Sequence, residues 1–148
     1  MEYSILIFIH ILAATIWTGG HLILAMGILP KALKEKNAEV VKQFEEKYER
    51  LGIPALIIQI ITGLRLAYLF SPDISTWLSF GSRVSTHITL KFMLLGITLL
   101  LAVHSRIRLI PNLNSNNLNM LAIHIIAVTI LAVFFVLVGV SIRVGGLL

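Results

Sequence analysis

Cysteine is absent from this sequence, and charged residues make up only 13% of it. Without cysteine the chain forms no disulfide and offers no thiolate to a metal, an iron–sulfur cluster or a c-type haem. Acidic residues are also scarce, with seven Asp and Glu against twelve Lys and Arg. Soluble domains carry about 25% charged residues. The low charge and the 57% hydrophobic content therefore predict an integral membrane protein.

Four apolar segments are long enough to span a bilayer as helices. They cover about residues 4–29, 52–70, 85–110 and 118–144. The first ends at Pro30 and Lys31 and the third before Pro111, because proline favours the end of a helix. The predicted fold is an all-α, four-helix transmembrane bundle that forms one domain over residues 1–148. The first segment has no basic region before it, so we expect a spanning helix and not a cleaved signal.

The only strongly charged stretch lies between the first two spans. From about residue 38 to 51, apolar side chains recur at helical spacing opposite charged ones. This pattern predicts an amphipathic helix on the membrane surface or an extension of the second span. The alternative is a solvated linker helix without a partner. The loop at 111–119 is an uncharged polar turn. We find no internal repeat and no nucleotide-binding motif, and we expect no nucleic-acid partner.

Lysine and arginine are distributed unevenly between the loops. Eight of them lie in the first loop or flank the third: Lys31, Lys34, Lys36, Lys42, Lys47, Arg50, Arg106 and Arg108. Only Arg83 and Arg143 flank the opposite side. Positive loops stay in the cytoplasm, so both termini are predicted to be extracytoplasmic. We expect a bacterial inner-membrane protein with this orientation.

Two histidines and a tryptophan share one face of the first helix. His10 and His21 are about 16 Å apart along the axis and within roughly 20° of the same direction. Trp17 falls on that face too. Polar side chains are costly in lipid, so this face is predicted to point into the bundle.

The topology sorts the five histidines into two layers. The outer layer combines two histidines with three cations: His10, His87, Lys91, Arg65 and Arg143. The nearest carboxylates, Glu2 and Asp73, are expected at the surface, which leaves the cations without an acid. The inner layer holds His21, His104 and His124, which come from three different helices.

Histidine layers of this kind suit a metal or haem. Imidazole binds haem iron, copper and zinc, and helix bundles hold haem between histidines of facing helices. The outer cations would pair with haem propionates, with Trp17 beside the cofactor. The inner layer fits a second bis-histidine haem or a three-histidine copper site. The alternative for each histidine is an ordinary interhelical hydrogen bond.

The first helix also resembles a known family. His10-x6-Trp17-x-Gly19-Gly20 is similar to the opening of copper-resistance protein D (CopD), and to HemJ, a haem-containing membrane protoporphyrinogen oxidase. The resemblance continues through KQFEEKYERLGIPALIIQIITG at 42–63 and through His87-Ile-Thr-Leu-Lys91. For HemJ it implies functional roles for His10 and for Lys91 or His87. The chain departs from HemJ in having the three inner histidines, which favours a CopD-like protein with haem or copper.

These observations predict a membrane b-type haem protein with one or two metal centres, acting in electron transfer or as a small oxidoreductase. The first alternative is a copper-binding, copper-transport or copper-resistance protein that uses the histidine layers. The second alternative is a structural membrane subunit without a cofactor. The expected partners are the lipid bilayer, a redox partner or quinone, and a second copy of the chain.

Overall fold

The computed structural model describes residues 1–114 and 117–146, and these residues form helices and turns without a strand. In chain order the elements are α1 (Glu2–Ile23), a π-helical turn (Leu24–Ile28), α2 (Leu29–Glu35), α3 (Ala38–Phe70), a 3₁₀ turn (Ile74–Thr76), α4 (Arg83–His104), a second π-helical turn (Ser105–Leu109) and α5 (Leu118–Val144). Two residues of the predicted polar turn, Ser115 and Asn116, lie outside the described residues.

Four continuous helical stretches of the described chain are long and apolar enough to cross a membrane. They are Glu2–Glu35, Ala38–Phe70, Arg83–Leu109 and Leu118–Val144. The predicted all-α bundle of four transmembrane helices is therefore confirmed.

We call the two ends of the bundle the Glu2 end and the Glu49 end, after an acidic residue at each. At the Glu2 end, the guanidinium of Arg143 lies 5.8 Å from the ring centre of Tyr3, so the first turn of α1 and the last turn of α5 are neighbours. At the Glu49 end, Glu49 forms an ion pair with Arg106. Residues that the sequence assigned to the outer and inner layers thus lie in the halves near the Glu2 end and the Glu49 end.

The helices do not all contact one another equally. α1 packs extensively against α3 and also against α5, and α4 packs against α5. Among the described residues, α3 and α4 make few direct contacts. A cleft therefore opens between α3 and α4, with α1 and α5 as its floor.

The first helical stretch runs past Pro30 and ends at Glu35, whereas the sequence suggested an end at Pro30 and Lys31. The π-helical turn explains the difference. It places a hydrogen bond from the Leu29 N–H to the Leu24 carbonyl and puts Pro30 in the first turn of α2. A proline in a first turn is tolerated because no hydrogen bond from its nitrogen is needed there.

A tight turn connects α2 to α3. Lys36 adopts a left-handed conformation with φ 50°, and the side chain of Asn37 accepts a hydrogen bond from the Glu39 N–H, which caps α3. The amphipathic segment and the second span then form one helix of 33 residues. Of the two arrangements that the sequence allowed for this segment, the structure has the continuous helix.

A well-buried apolar cluster lies near the Glu49 end, where the two π-helical turns meet α2, α3 and α5. Its members are Leu24, Leu29, Ala32, Val41, Leu109, Leu118, Leu121, Ala122 and Ile125. A second cluster in the middle of the bundle consists of Trp17, Val128 and Ala132. Many large apolar side chains elsewhere on the helices are exposed, which is how a bundle presents itself to lipid.

Candidate functional site

His10 is held against α3 in the half near the Glu2 end. Its Nδ1 lies 2.8 Å from the Thr62 hydroxyl oxygen, and that hydroxyl donates its own hydrogen to the Ile58 carbonyl at 2.6 Å. The Nδ1–H of His10 is therefore the donor, which leaves a lone pair on Nε2. The ring also lies close to Gly63, where an added Cβ would be 3.2 Å from the Cε1 atom.

His87 is a buried link between α4 and α5. Its Nδ1–H donates to the Arg83 carbonyl at 2.7 Å, and its Nε2, 2.9 Å from the Ser141 hydroxyl, accepts a hydrogen bond from it. The side chain is only 2% exposed. Both ring nitrogens of His87 are thus used within the protein.

The cations of the outer layer do not have the positions that the sequence predicts. Arg65 binds the Glu2 carboxylate at 2.7 Å, and both side chains are about half exposed. Arg143 is exposed and lies over Tyr3. Lys91 is half-buried, and its Nζ would lie 3.5 Å from a Cβ added at Gly139. Arg65 and Arg143 are therefore at the surface, and Arg65 forms an ion pair with Glu2.

In the half near the Glu49 end, His104 and His124 form a histidine pair. Nδ1 of His104 lies 2.9 Å from Nε2 of His124. The Nδ1–H of His124 donates to the Met120 carbonyl at 3.0 Å, so its Nε2 is the acceptor and the Nδ1–H of His104 is the donor. His104 is exposed and His124 is half-buried.

The two rings of the pair meet edge to edge. Their planes differ by 19°, and their centres are 4.9 Å apart, which is well beyond the 2.9 Å between the two nitrogens. The nitrogens consequently lie between the ring centres. The lone pair of His124 Nε2 points toward His104 Nδ1 across this short gap.

His21, the third member of the inner layer, faces the same region from α1. Its Nδ1–H donates to the Trp17 carbonyl at 2.9 Å, which leaves the lone pair on Nε2. Its ring centre is 4.3 Å from that of Trp17. Trp17 is itself 8% exposed and packs against His21, and its predicted place beside a cofactor stays a prediction.

A pocket of about 280 Å³ occupies the cleft between α3 and α4. His21 and His124 both line it, together with Tyr48 from α3. At the Glu49 end it reaches Glu49 and Arg106, whose charged atoms are 2.7 Å apart. This ion pair spans the cleft from α3 to the π-helical turn that follows α4.

Sequence reasoning did not identify Tyr48 as part of this region. Its hydroxyl donates to the Trp17 carbonyl at 2.9 Å, the same carbonyl that His21 uses. Its ring fits between Gly20 and Gly52, where added Cβ atoms would lie 2.0 Å and 2.9 Å from it. The sequence signal for this contact was the Gly19-Gly20 pair, together with a tyrosine in the amphipathic segment.

The π-helical turns were also missed, and they lie beside the pocket. One begins three residues after His21, at the end of α1, and the other follows α4 directly after His104. Leu24 and Ser105, the first residue of each turn, both line the pocket. π-helical turns occur frequently at functional sites, but no residue type marks them in a single sequence.

The structure brings His104 and His124 into direct contact and places His21 on the pocket that His124 lines. Among the described residues, no group of three or more His, Cys, Asp or Glu side chains is arranged to hold one metal ion. The histidine pair therefore presents two ring nitrogens to each other, with His21 on the wall of the pocket that His124 lines.

These features define a class: a helical membrane protein with a histidine-lined pocket near one end. A family model described as copper resistance protein D (CopD) matches residues 42–142, and the chain belongs to this family. It is a membrane protein connected with copper resistance. No curated protein and no solved structure matches the chain.

The family match covers only part of the predicted site. It includes His87, His104 and His124, whereas His10 and His21 precede it. The resemblance to CopD is thereby confirmed, although the first-helix motif that suggested it lies outside the matched range. The resemblance to HemJ and the assignment of haem have no support from the comparisons.

Proposed function

We propose that this protein binds copper at the histidine pair and handles it as cargo across or within the membrane. The observation that carries the proposal is the contact between His104 and His124, with 2.9 Å between Nδ1 and Nε2. Their neighbour on the pocket, His21, presents a third imidazole. The family match to copper resistance protein D supports copper as the ligand.

The chemistry of the pair suits copper. Imidazole is a good ligand for copper, and a backbone carbonyl already orients the His124 ring. The Nδ1–H of His124 bonds to the Met120 carbonyl, and a hydrogen bond of this kind on the far nitrogen orients a metal-binding histidine. His124 therefore offers Nε2 to a metal without rearrangement.

The sequence analysis favoured haem as the cofactor, whereas we now favour copper as the ligand. The family match points to copper and gives no indication of a porphyrin. Axial ligation of haem by His87 would also break one of its two hydrogen bonds, to Arg83 or to Ser141. Arg65 already has a carboxylate partner in Glu2, which removes one reason for invoking haem propionates.

We further propose that the Glu49 end faces the cytoplasm of a bacterial inner membrane. The lysines of α2 and of the first turns of α3 and the arginines after α4 lie toward this end, and the cytoplasmic side carries such an excess of positive charge. Copper bound by the pair would then be close to the cytoplasmic surface. A redox partner, a quinone or a second copy of the chain would be further partners in this scheme.

A metal titration of the purified protein in detergent tests the proposal. Cu(I) under anaerobic conditions, and Cu(II) in parallel, are titrated against a chromogenic competitor. We expect His104→Ala and His124→Ala each to weaken copper binding by at least 10–100-fold, the range seen when even outer-shell groups are removed.

His10→Gln is the matched control, because it removes a histidine from the opposite half and keeps a hydrogen-bonding group for Thr62. Its copper affinity should equal that of the wild type, and circular dichroism should show the same helix content in all variants. If both pair variants bind copper as tightly as the wild type, the pair is not the copper site.

A further inference from the structure

Building on the proposed copper site, we infer that the histidine pair takes Cu(I) as a two-coordinate ion between Nδ1 of His104 and Nε2 of His124. The ion replaces the hydrogen now shared by the two nitrogens. The inference thus names the oxidation state and the coordination geometry that this site selects, and it excludes His21 as a ligand of the bound ion.

The edge-to-edge geometry of the pair carries the inference. The two nitrogens are 2.9 Å apart, and the ring planes differ by 19° with centres 4.9 Å apart. Metal–imidazole bonds are roughly 2.0 Å long, so a metal lying on the line between the nitrogens requires a separation of about 4 Å. The rings need to part by only about 1 Å to admit it.

The required change in protonation is small and balanced. In the metal-free pair, His104 carries its proton on Nδ1 and His124 carries its proton on Nδ1. Binding moves the His104 proton from Nδ1 to Nε2 through water, so that Nδ1 donates its lone pair to the ion. His124 keeps its bond to the Met120 carbonyl. No proton is released, both rings stay neutral, and the copper keeps its oxidation state.

The surroundings favour a singly charged ion with few ligands. Zn²⁺ takes four ligands in structural sites and Cu²⁺ prefers a square-planar or tetragonal set. No third His, Cys, Asp or Glu among the described residues joins the pair. The cost of charge in a low-dielectric region rises steeply with its magnitude, and the Glu49 carboxylate on the pocket that His124 lines is already paired with Arg106. Cu(I) accepts two neutral nitrogens in a line.

His21 has a different position from the pair. It lines the pocket from α1, with Trp17 and Tyr48 as its ring neighbours. Because His21 and His124 line the same pocket, an ion in the pocket can meet His21 before it binds to the pair. We assign His21 to this path and not to the bound state.

The test uses the whole protein in detergent, loaded with Cu(I) under anaerobic conditions, with Ag(I) as a redox-silent probe of the same geometry and Zn(II) as a divalent probe. The absence of cysteine removes thiolates that would otherwise compete for Cu(I). X-ray absorption should show two nitrogen neighbours around the copper. Nitrogen NMR of labelled histidine should show the His104 proton moving from Nδ1 to Nε2 upon loading with Ag(I).

Three variants separate this inference from the proposed function. His104→Ala and His124→Ala should lose Cu(I) and Ag(I), while His21→Ala should keep the equilibrium affinity and slow the loading. If His21→Ala loses affinity as strongly as the pair variants, the site is three-coordinate and this inference fails while the copper function stands. Tighter binding of Zn(II) than of Cu(I) also overturns it. If no variant changes copper binding, the proposed function itself fails.

Discussion

At the scale of single residues, Tyr48 determines how closely α1 and α3 approach beside the pocket. Its ring is T-shaped against His21 and stacked on Phe44, with centre separations of 5.7 Å and 5.6 Å. Its hydroxyl bonds to the Trp17 carbonyl. A ring held on several sides cannot move easily, so the glycine that it covers has to remain a glycine.

Gly20→Ala should therefore destabilise the protein by about 1–3 kcal/mol, the usual cost of overpacking. The added Cβ would lie 2.0 Å from the Tyr48 ring. Gly19→Ala is the matched control, since no described atom beyond the neighbouring helix backbone lies within 4 Å of its added Cβ, and alanine favours a helix over glycine. Thermal unfolding in detergent measures both.

A Tyr48→Ala protein tests whether the Tyr48 ring causes the loss of stability in Gly20→Ala. In a Tyr48→Ala protein the clash is gone, so adding Gly20→Ala should cost nothing further, because residues in contact show non-additive effects. An equal loss from Gly20→Ala in both backgrounds would show that Tyr48 is not the reason for the glycine.

Two buried threonines differ in how their hydroxyls are satisfied. The Thr98 hydroxyl oxygen is buried and has no hydrogen-bond partner among the described residues. Thr129 donates to the Ile125 carbonyl at 2.7 Å and lies 3.2 Å from the His21 carbonyl. Leaving a buried hydroxyl unsatisfied costs about 1–3 kcal/mol.

Thr98→Val should accordingly raise the free energy of unfolding by about 1 kcal/mol. Thr129→Val, its matched control, should lower it by about 0.5–1.5 kcal/mol through the lost hydrogen bond. Denaturant or thermal unfolding of the two variants is the measurement. Destabilisation by Thr98→Val equal to that by Thr129→Val would contradict the described orientation of the Thr98 hydroxyl.

At the scale of the helices, the ends of the first helical stretch depend on backbone geometry more than on residue type. A π-helical turn directly before α2 accommodates Pro30 within the helical stretch. The stretch stops six residues later, at the left-handed Lys36. A left-handed conformation costs an L-residue other than glycine about 1–2 kcal/mol. The helix thus ends at a residue that carries strain.

Lys36→Gly should stabilise the protein by about 0.5–1 kcal/mol, because glycine adopts this conformation without strain but loses more entropy on folding. Lys34→Gly, two residues earlier inside α2, should destabilise it by about 1 kcal/mol. Both variants remove one positive charge from the same end of α2. If Lys36→Gly is as destabilising as Lys34→Gly in thermal unfolding, the turn is not left-handed at this residue.

The helices could be predicted from the sequence because lipid imposes a simple requirement. A spanning segment needs about 20 apolar residues, and that signal is present four times. The helix ends were harder to predict for a physical reason. Whether Pro30 stops a helix depends on a hydrogen bond between Leu24 and Leu29, and that bond depends on packing against α3 and α5, which no local pattern encodes.

At the scale of the whole molecule, the arrangement of helices creates the cleft that holds the pocket. α1 lies between α3 and α5, and α4 contacts α5 rather than α3. The pocket occupies the space between α3 and α4 near the Glu49 end. The proposed function depends on which side of the membrane this end faces.

Labelling of single cysteines tests the orientation directly, since the chain has no cysteine of its own. Lys42→Cys should be protected from a membrane-impermeant thiol reagent in intact cells, and Ser79→Cys should react with it, as the excess of positive charge predicts. Both positions should react after permeabilisation. Reaction of Lys42→Cys in intact cells would reverse the topology and place the copper pair on the outer side.

The site was predictable only in part. Helical spacing and topology placed His21, His104 and His124 near one end, as the structure has them. Which of them touch depends on side-chain rotamers and on the positions of α4 and α5, so the pairing of His104 with His124 could not be foreseen. The ion pair between Arg65 and Glu2 could not be foreseen either. The two residues are 63 positions apart in the sequence, and Glu2 was expected at the surface without this partner.

The measurement that tests copper binding most directly is a metal analysis of the purified protein together with its absorption spectrum. Protein prepared from cells grown with copper should contain copper that His104→Ala and His124→Ala lose, and it should show no Soret band. A Soret band without bound copper would contradict the account, because it would make the protein a haem protein whose histidine pair is an ordinary hydrogen bond.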